Sequence, residues 1–379
     1  MIEKIKRKGK ILFLSNTANF SKFNLPYMRW FHEQGWRVDY CSAGEEFVKD
    51  CDNQYTIDIA RSPFSLKNVK ALRQLKKLLA ENRYDILHCH TPMGGVLGRL
   101  AAKKLRQEHK IKIIYTAHGF HFYRGAPLLN WLFYYPVEKH LAKYTDVLVT
   151  INKEDYECAL KKRFHAEEIF QINGVGVDIA DFKPLENKHK IRQEYGYTDD
   201  DFIMIYTAEF IMRKNHRFLI ESLPSLKENI PNLKIILPGK GERFASMVNL
   251  AKKLYVDDMI SFCGYRKDIH NLCGLSDLYV ATSKQEGLPI GVVEAIATGL
   301  PAVVSDIRGQ NDIIQADING SLYQPGNKID FINKVMDLYK DRKKCLNIAE
   351  NNVKTAEKYS IKYAVKKMAG IYTSLFPSD

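Results

Sequence analysis

DLYVATSKQEGLPIGVVEAIATGLPAVVSD, residues 277–306, sets the reading of the whole chain. An apolar run with β-branched residues, Leu278 to Ala281, breaks at Ser283-Lys284-Gln285. Glu286-Gly287-Leu288-Pro289 then leads into a helical pattern that stops at Gly299, and Ala302-Val303-Val304 forms a second apolar run. The spacing predicts strand, loop, helix, strand.

Pro289 suits the first turn of that helix, where its missing N–H would have no partner anyway, and Gly287 lets a ligand approach the backbone closely. The free amides of Ile290 and Gly291 then face whatever lies beyond the loop, together with the positive end of the helix dipole. An anion fits there. Two carboxylates frame this helix end: Glu286 in the loop, and Glu294 eight residues on, among Val292, Val293, Ala295 and Ile296. Packing explains neither, because a carboxylate in apolar surroundings needs donors. Sugar hydroxyls would serve, since an ionised carboxylate can accept two of them.

With Glu286 and Glu294 come Gly299-Leu300-Pro301-Ala302 and Asn319-Gly320-Ser321-Leu322, in that order and spacing. This set resembles the retaining glycosyltransferases of family 4, whose hallmark is Glu-x7-Glu followed by Gly-x-Pro-Val and later Asn-Gly-x-Leu. HTPMGG, TAHGFHFYRGAP, YTDVLVTINKEDY and GVGVD in the first half resemble the acceptor-side domain of such enzymes in bacterial capsular and exopolysaccharide assembly. The resemblance covers nearly the whole chain. It implies an α/β fold of the GT-B type: two Rossmann-like, doubly wound parallel-sheet domains facing a cleft.

Size and composition agree with that expectation. A chain of 379 residues can form two domains, each with its own core. Hydrophobic content of 45% and charged content of 27% are those of a globular protein. The seven cysteines are scattered without a Cys-x-x-Cys, which suits a reducing cytosol. The start, MIEKIKRKGKILFLS, is basic but too short in apolar residues for a signal peptide, and no window is apolar enough to span a bilayer. The expected location is cytoplasmic, with room for peripheral attachment to the inner face of the cell membrane.

Net charge is +13, and residues 1–180 hold most of it, with 29 Lys and Arg against 19 Asp and Glu. A basic half can face nucleic acid, anionic lipid or plain water. The helical stretches Leu66 to Leu79 and Val96 to Leu105 mix apolar and basic faces. Ala126 to Pro136, with Trp131, Phe133, Tyr134 and Tyr135, is the most apolar and aromatic run. It reads either as a membrane-dipping element or as a core helix under the sheet.

Ile11 to Ser15, Phe20 to Gln34 and Val38 to Cys41 read as strand, helix and strand, a βαβ opening that predicts a parallel doubly wound sheet. Ile86 to His90 and Ile111 to Ala117 are further strands, and His118 and His121 follow the second. Ligands of open α/β sheets bind beyond the carboxyl ends of strands, so these histidines are placed for chemistry. They lack a carboxylate or cysteine at ligand spacing, so no metal site is expected.

The polar linker Phe182 to Tyr197 marks the boundary. The resemblance implies that an amino-terminal, acceptor-binding domain spans 1–182, with a terminal helix in 360–379 packing back on it, and that a nucleotide-sugar domain spans 183–359. Asp199-Asp200-Asp201 precedes its strand, the wrong end for a ligand site, and reads as a loop.

The resemblance implies the following roles. Lys214 falls on the family's diphosphate-gripping Lys, while the family's Arg position is Glu209, which leaves neighbouring Arg213 as a second cation. Gly239 and Gly241 lie in the glycine-rich donor loop, and Tyr265 and Arg266 flank the nucleobase. Gly287, Leu288, Pro289 and Ile290 line the phosphates, Glu294 holds the ribose hydroxyls and Glu286 the donor sugar. His118 reaches the sugar or departing phosphate, and Asn16, His90 and His121 stand on the acceptor side. The resemblance further implies a UDP-sugar donor, a lipid-linked saccharide acceptor, an anionic membrane surface as partner, and neither cofactor nor metal. Two rival classes are a nucleotide-sugar epimerase on the same architecture and a basic nucleic-acid-binding protein. The second lacks a recognition helix or RNP-like motif.

Overall fold

A computed structural model describes residue 5 and residues 8–376. Lys4, Lys6 and Arg7 of the basic start and the last three residues of the expected helix 360–379 lie outside them. The chain divides into two compact units, Met1–Gly176 with Ile361–Asp379, and Val177–Ser360. The division falls six residues before the position read from the sequence, after 176 instead of 182. Val177 is tied to the far end of the second unit, donating its amide to Tyr359 O and bridging to Ser360.

The first unit is a seven-stranded sheet in the order β3-β2-β1-β4-β5-β6-β7. Its strands are β1 (Lys10–Leu14), β2 (Arg37–Ser42), β3 (Asn53–Thr56), β4 (Ile86–His90), β5 (Lys112–Ala117), β6 (Val147–Thr150) and β7 (Glu168–Gln171). The second is a six-stranded sheet in the order β10-β9-β8-β11-β12-β13. Its strands are β8 (Phe202–Ile205), β9 (Leu233–Pro238), β10 (Ile260–Gly264), β11 (Leu278–Ala281), β12 (Ala302–Ser305) and β13 (Ser321–Tyr323). Every pairing is parallel. This doubly wound pair of α/β units is the GT-B fold. Strand order reverses between β1 and β4 and between β8 and β11, and such switch points open the crevices in which ligands of these sheets sit.

Three stretches differ from their sequence reading. Phe20 to Gln34 is not one helix: a 3-10 turn, Ala18–Phe23, precedes the helix Leu25–Glu33. Pro26 has no N–H to continue a helix from upstream, so it begins a new one. The linker contains a helix, Lys188–Glu194, capped by the Asn187 side chain and pinned by buried Arg192 on Asp277 and Leu275 O. Its polar surface concealed it, because its most buried residue, Arg192, is charged and only Ile191 beside it packs an apolar side chain on the core.

The third stretch is the apolar run, read as either a membrane-dipping or a core element; it forms the helix Leu128–Ala142, with one face on the core and the other exposed. Its inner face packs Trp131, Tyr134 and Tyr135 against the core of the first unit, and Glu138 pairs with buried Arg99 of the helix Pro92–Gln107 at 2.7 Å. Leu128, Leu129, Leu132, Phe133 and Val137 point outward, with Leu132 64% exposed. The terminal helix Ile361–Ser374 packs within the first unit, stacking Tyr372 on Trp30 and edge-on to Phe31. No helix among the described residues is long and apolar enough to cross a membrane.

Candidate active site

The second unit gathers its polar groups at the β8/β11 switch point. After β8 the chain runs through Thr207 to a 3-10 turn, Met212–Lys214, which ends on Asn215 in the left-handed conformation (φ +56°). That turn is fastened to the end of β11: Tyr206 Oη donates to Lys214 O, Thr282 Oγ1 to Asn215 O, and the Lys284 amide to Arg213 O at 2.7 Å. Lys214 is thereby fixed beside the loop that opens the helix Ile290–Ala297.

Glu286 in that loop is 95% buried and fully engaged, with 5% exposure. Lys214 Nζ pairs with its Oε1, Arg213 Nη1 with its Oε2 at 3.0 Å, and Ser283 Oγ donates to Oε1 at 2.6 Å. One carboxylate thus meets two cations, in the loop that leads into a helix whose first amides have no intrahelical acceptor. The surplus is positive.

Close packing places that helix end. A Cβ on Gly291 would lie 2.4 Å from Thr207 Oγ1 and 2.6 Å from Tyr279 Oη, so only glycine lets the helix start press on the strand ends. Gly309, at φ +82°, supports the loop from behind, where a Cβ would lie 2.6 Å from Gly287 O. Gly239 and Gly241 bring the glycine-rich loop against the backbone of Ala208 and Phe210. Arg308, which the sequence reading passed over, is buried and donates from Nε to Glu286 O at 3.2 Å. Ser283 was also passed over. Its only sequence signal is its place just after β11.

Glu294 differs from Glu286. It is largely buried, yet its carboxylate has no hydrogen-bond or ion-pair partner among the described residues, and burial raises its pKa to about 7. A carboxylate so placed is short of donors. Exposed Glu209, which occupies the family Arg position, makes no side-chain hydrogen bond among the described residues. Tyr265 is exposed, with Lys240 Nζ 5.9 Å from its ring centre. Arg266 is held by Asp268 through both Nε and Nη2, which keeps that carboxyl down near about 2.

In the first unit, His90 and His118 meet at the ends of β4 and β5, His90 Nδ1 lying 3.1 Å from His118 Nε2. Burial lowers His118 to about 3 and holds His90 well below the ordinary histidine range, so both rings are neutral. Asn16 adjoins them at the β1/β4 switch, its amide donating to Thr91 Oγ1 at 3.1 Å. Thr91 carries a left-handed φ of +62°, a strain that concentrates at functional sites. His121 stands apart from this pair, stacked on Tyr134 at 4.6 Å.

Among the described residues no cluster of His, Cys, Asp or Glu could hold a metal ion. A cavity of about 780 Å³ lies elsewhere, at the amino-terminal end of the second sheet. Its inner charges are already paired, Lys188 and Arg192 both on Asp277.

Two protein families match the sequence. The family "Glycosyl transferases group 1" covers residues 187–355, and "Glycosyl transferase 4-like" covers residues 10–152. A Bacillus subtilis (strain 168) protein, "Putative glycosyltransferase EpsD", is 41% identical over 98% of each chain. The chain belongs to the group 1 glycosyltransferases. A second relative in this family, the Escherichia coli "UDP-Gal:alpha-D-GlcNAc-diphosphoundecaprenol alpha-1,3-galactosyltransferase", is 30% identical over 84% of this chain and 82% of its own length. Among solved structures, Anabaena Alr3699/HepE in complex with UDP and glucose shares the fold. Its TM-score is 0.78 at 19% identity, covering 97% of this chain and all of that one. Glycosyl transfer in glycan biosynthesis is therefore the activity of this chain.

Proposed function

We propose that this glycosyltransferase moves a sugar from a UDP-sugar to a polyprenyl-diphosphate-linked saccharide, with retention of anomeric configuration and without a metal. The reading places it in exopolysaccharide or capsule assembly at the inner membrane face. The observation that carries it is the cluster of Lys214, Arg213 and Glu286 at the amino end of the helix Ile290–Ala297. A diphosphate brings the negative charge that this cluster lacks, and preorganised cations and amides stabilise it as it departs. Such a site does a metal ion's work with its own charges.

Glu294 accepts the ribose hydroxyls, which supply the donors it is missing, and Glu286 orients the transferred sugar. Gly239 and Gly241 let the donor approach the backbone, and Tyr265 offers a ring to the base, with Arg266 beside it. Gly287, Leu288, Pro289 and Ile290 contribute the amide-lined edge of the phosphate site. His118 donates to the sugar or the leaving phosphate, and that phosphate takes the acceptor's proton. Asn16 and His121 serve the acceptor side, and His90, with its Nδ1 on His118 Nε2, backs that ring without touching substrate. Two relatives support the lipid-linked acceptor: the Escherichia coli enzyme, and a Campylobacter jejuni N-acetylgalactosaminyltransferase named for a diphospho-undecaprenol substrate. The exposed apolar face of Leu128–Ala142 supports docking on an anionic membrane surface.

The test is a panel of UDP- and GDP-sugars with undecaprenyl-diphosphate-linked acceptors, the product anomer read by NMR. Transfer from a UDP-sugar with retained configuration, unchanged by EDTA, is expected. Inversion, or loss of turnover on chelation, overturns the mechanism.

A further inference from the structure

His88, His90, Thr116 and His118 share one face of the first sheet, because side chains alternate along β4 and β5. The opposite face carries Leu87, Cys89, Ile113, Tyr115 and Ala117 into the core. His88 is saturated: Nδ1 bonds Tyr372 Oη and Nε2 bonds Thr116 Oγ1, both at 2.8 Å. His90 is not. Its Nδ1 meets His118 Nε2, while its own Nε2 is buried with no hydrogen-bond partner among the described residues.

Aromatic rings account for that. His90 lies parallel to Phe13, with 11° between the planes, and tilted against Phe20 at 5.6 Å. Phe20 also meets His118 edge-on at 4.6 Å. Parallel stacking puts ring edges, and so any N–H, away from the neighbouring π face.

With both rings neutral, one proton lies between them, and it can belong to either ring. If His118 Nε2 carries it, His90 Nδ1 accepts, and the His90 proton must sit on buried Nε2 with no acceptor. If His90 Nδ1 carries it, His90 Nε2 is a bare lone pair among apolar rings, and His118 must hold its proton on Nδ1. Orphaned buried N–H groups are rarer than under-used acceptors. His118 is only partly buried, and its Nδ1 has no hydrogen-bond partner among the described residues.

We propose that His90 is a positioning residue that locks His118 as the Nδ1–H tautomer, so that a neutral imidazole presents a donor to the transferred sugar or leaving phosphate. The direction of the proton follows from the packing around His90. Its use in transfer rests on the role given to His118 above. His90 itself touches no substrate.

The tautomer can be read without turnover. Long-range nitrogen–proton NMR on the full-length, ligand-free protein labelled with 15N-histidine, with His118 assigned by difference against His118→Gln, distinguishes the two states. Protonated Nδ1 and bare Nε2 on both His90 and His118 are expected. A proton on His118 Nε2 overturns the lock whatever the activity.

His90→Asn keeps an amide N–H near the Nδ1 position and should retain both the tautomer and kcat within about threefold, whereas His90→Leu should mix the tautomers and lower kcat about tenfold, with KM for the nucleotide sugar nearly unchanged. Equal loss in both variants, or normal kcat in His90→Leu, also counts against the lock. Thermal melts of both variants check the fold. Normal turnover in His118→Ala would instead remove the role of His118 while leaving the tautomer result standing.

Discussion

At the ends of β8 and β11 stand Lys214, Arg213 and Glu286, all ionic. At the ends of β4 and β5 stand His90 and His118, both neutral, His90 buried against Phe13 and Phe20 and partly buried His118 beside Phe20. The two units share a parallel strand order and a switch point, the first with one strand more, so topology decides where chemistry occurs and not which chemistry. In the second unit, mobile charge is met by fixed charge on a helix end. In the first, burial strips charge from the imidazoles and leaves hydrogen-bond direction as their means of action.

The comparison breaks most readily at Lys214. Lys214→Ala should lower kcat/KM about a thousandfold, because it removes a cation from the leaving group and leaves buried Glu286 short of a partner. Initial rates measure it, with circular dichroism as a check on the fold. Near-normal rates would show that the ionic cluster is not the phosphate site.

His118→Ala should cost less, about a hundredfold in kcat, since one neutral donor is lost. Because His118 sits far below the ordinary histidine range, the acid limb of the wild-type pH profile should show no step near 6.5 attributable to it. A step there that vanishes in the variant would mean the ring is charged after all.

A third test sharpens what the exposed helix of the first unit does. Leu132→Asp with Phe133→Asp should weaken binding to anionic liposomes about tenfold while leaving UDP-sugar hydrolysis intact. Equal liposome binding by wild type and variant would return that face to ordinary surface.

The smallest expected effect is at Glu294. Its folded pKa of about 7 lies above the unfolded carboxyl value of 4.5, so the folded protein binds the proton more tightly. Stability is fully present below the unfolded value and falls as pH rises through the folded one. Melting temperature should therefore decline across that window, and Glu294→Gln should flatten the decline. UDP binding, which needs the ionised form as an acceptor, should strengthen severalfold over the same window and release a proton by calorimetry. An unchanged melting profile in Glu294→Gln would show that this carboxyl titrates normally.

Much of this was legible along the chain. Strand, loop and helix from Leu278 to Val304 lie where periodicity put them, because each depends on neighbours within a few residues. The helix Lys188–Glu194 was hidden because its fully buried residue is an arginine and a single isoleucine, Ile191, is its apolar contact with the core. Arg308 gave no signal and Ser283 only its place just after β11, since both acquire meaning by meeting Glu286. The pairing of His90 with His118 joins residues 28 apart and depends on which strands lie side by side.

The sequence by itself determined the family, the alternation of strands and helices, and the helix start near residue 290, all carried by short-range pattern and spacing. Only the tertiary structure decided which cations meet Glu286, that Glu294 stands without a partner, that Leu132 and Phe133 face outward, and which way a proton points between two histidines. Those are matters of burial and of contacts between distant segments, and burial does not exist until the sheets are assembled.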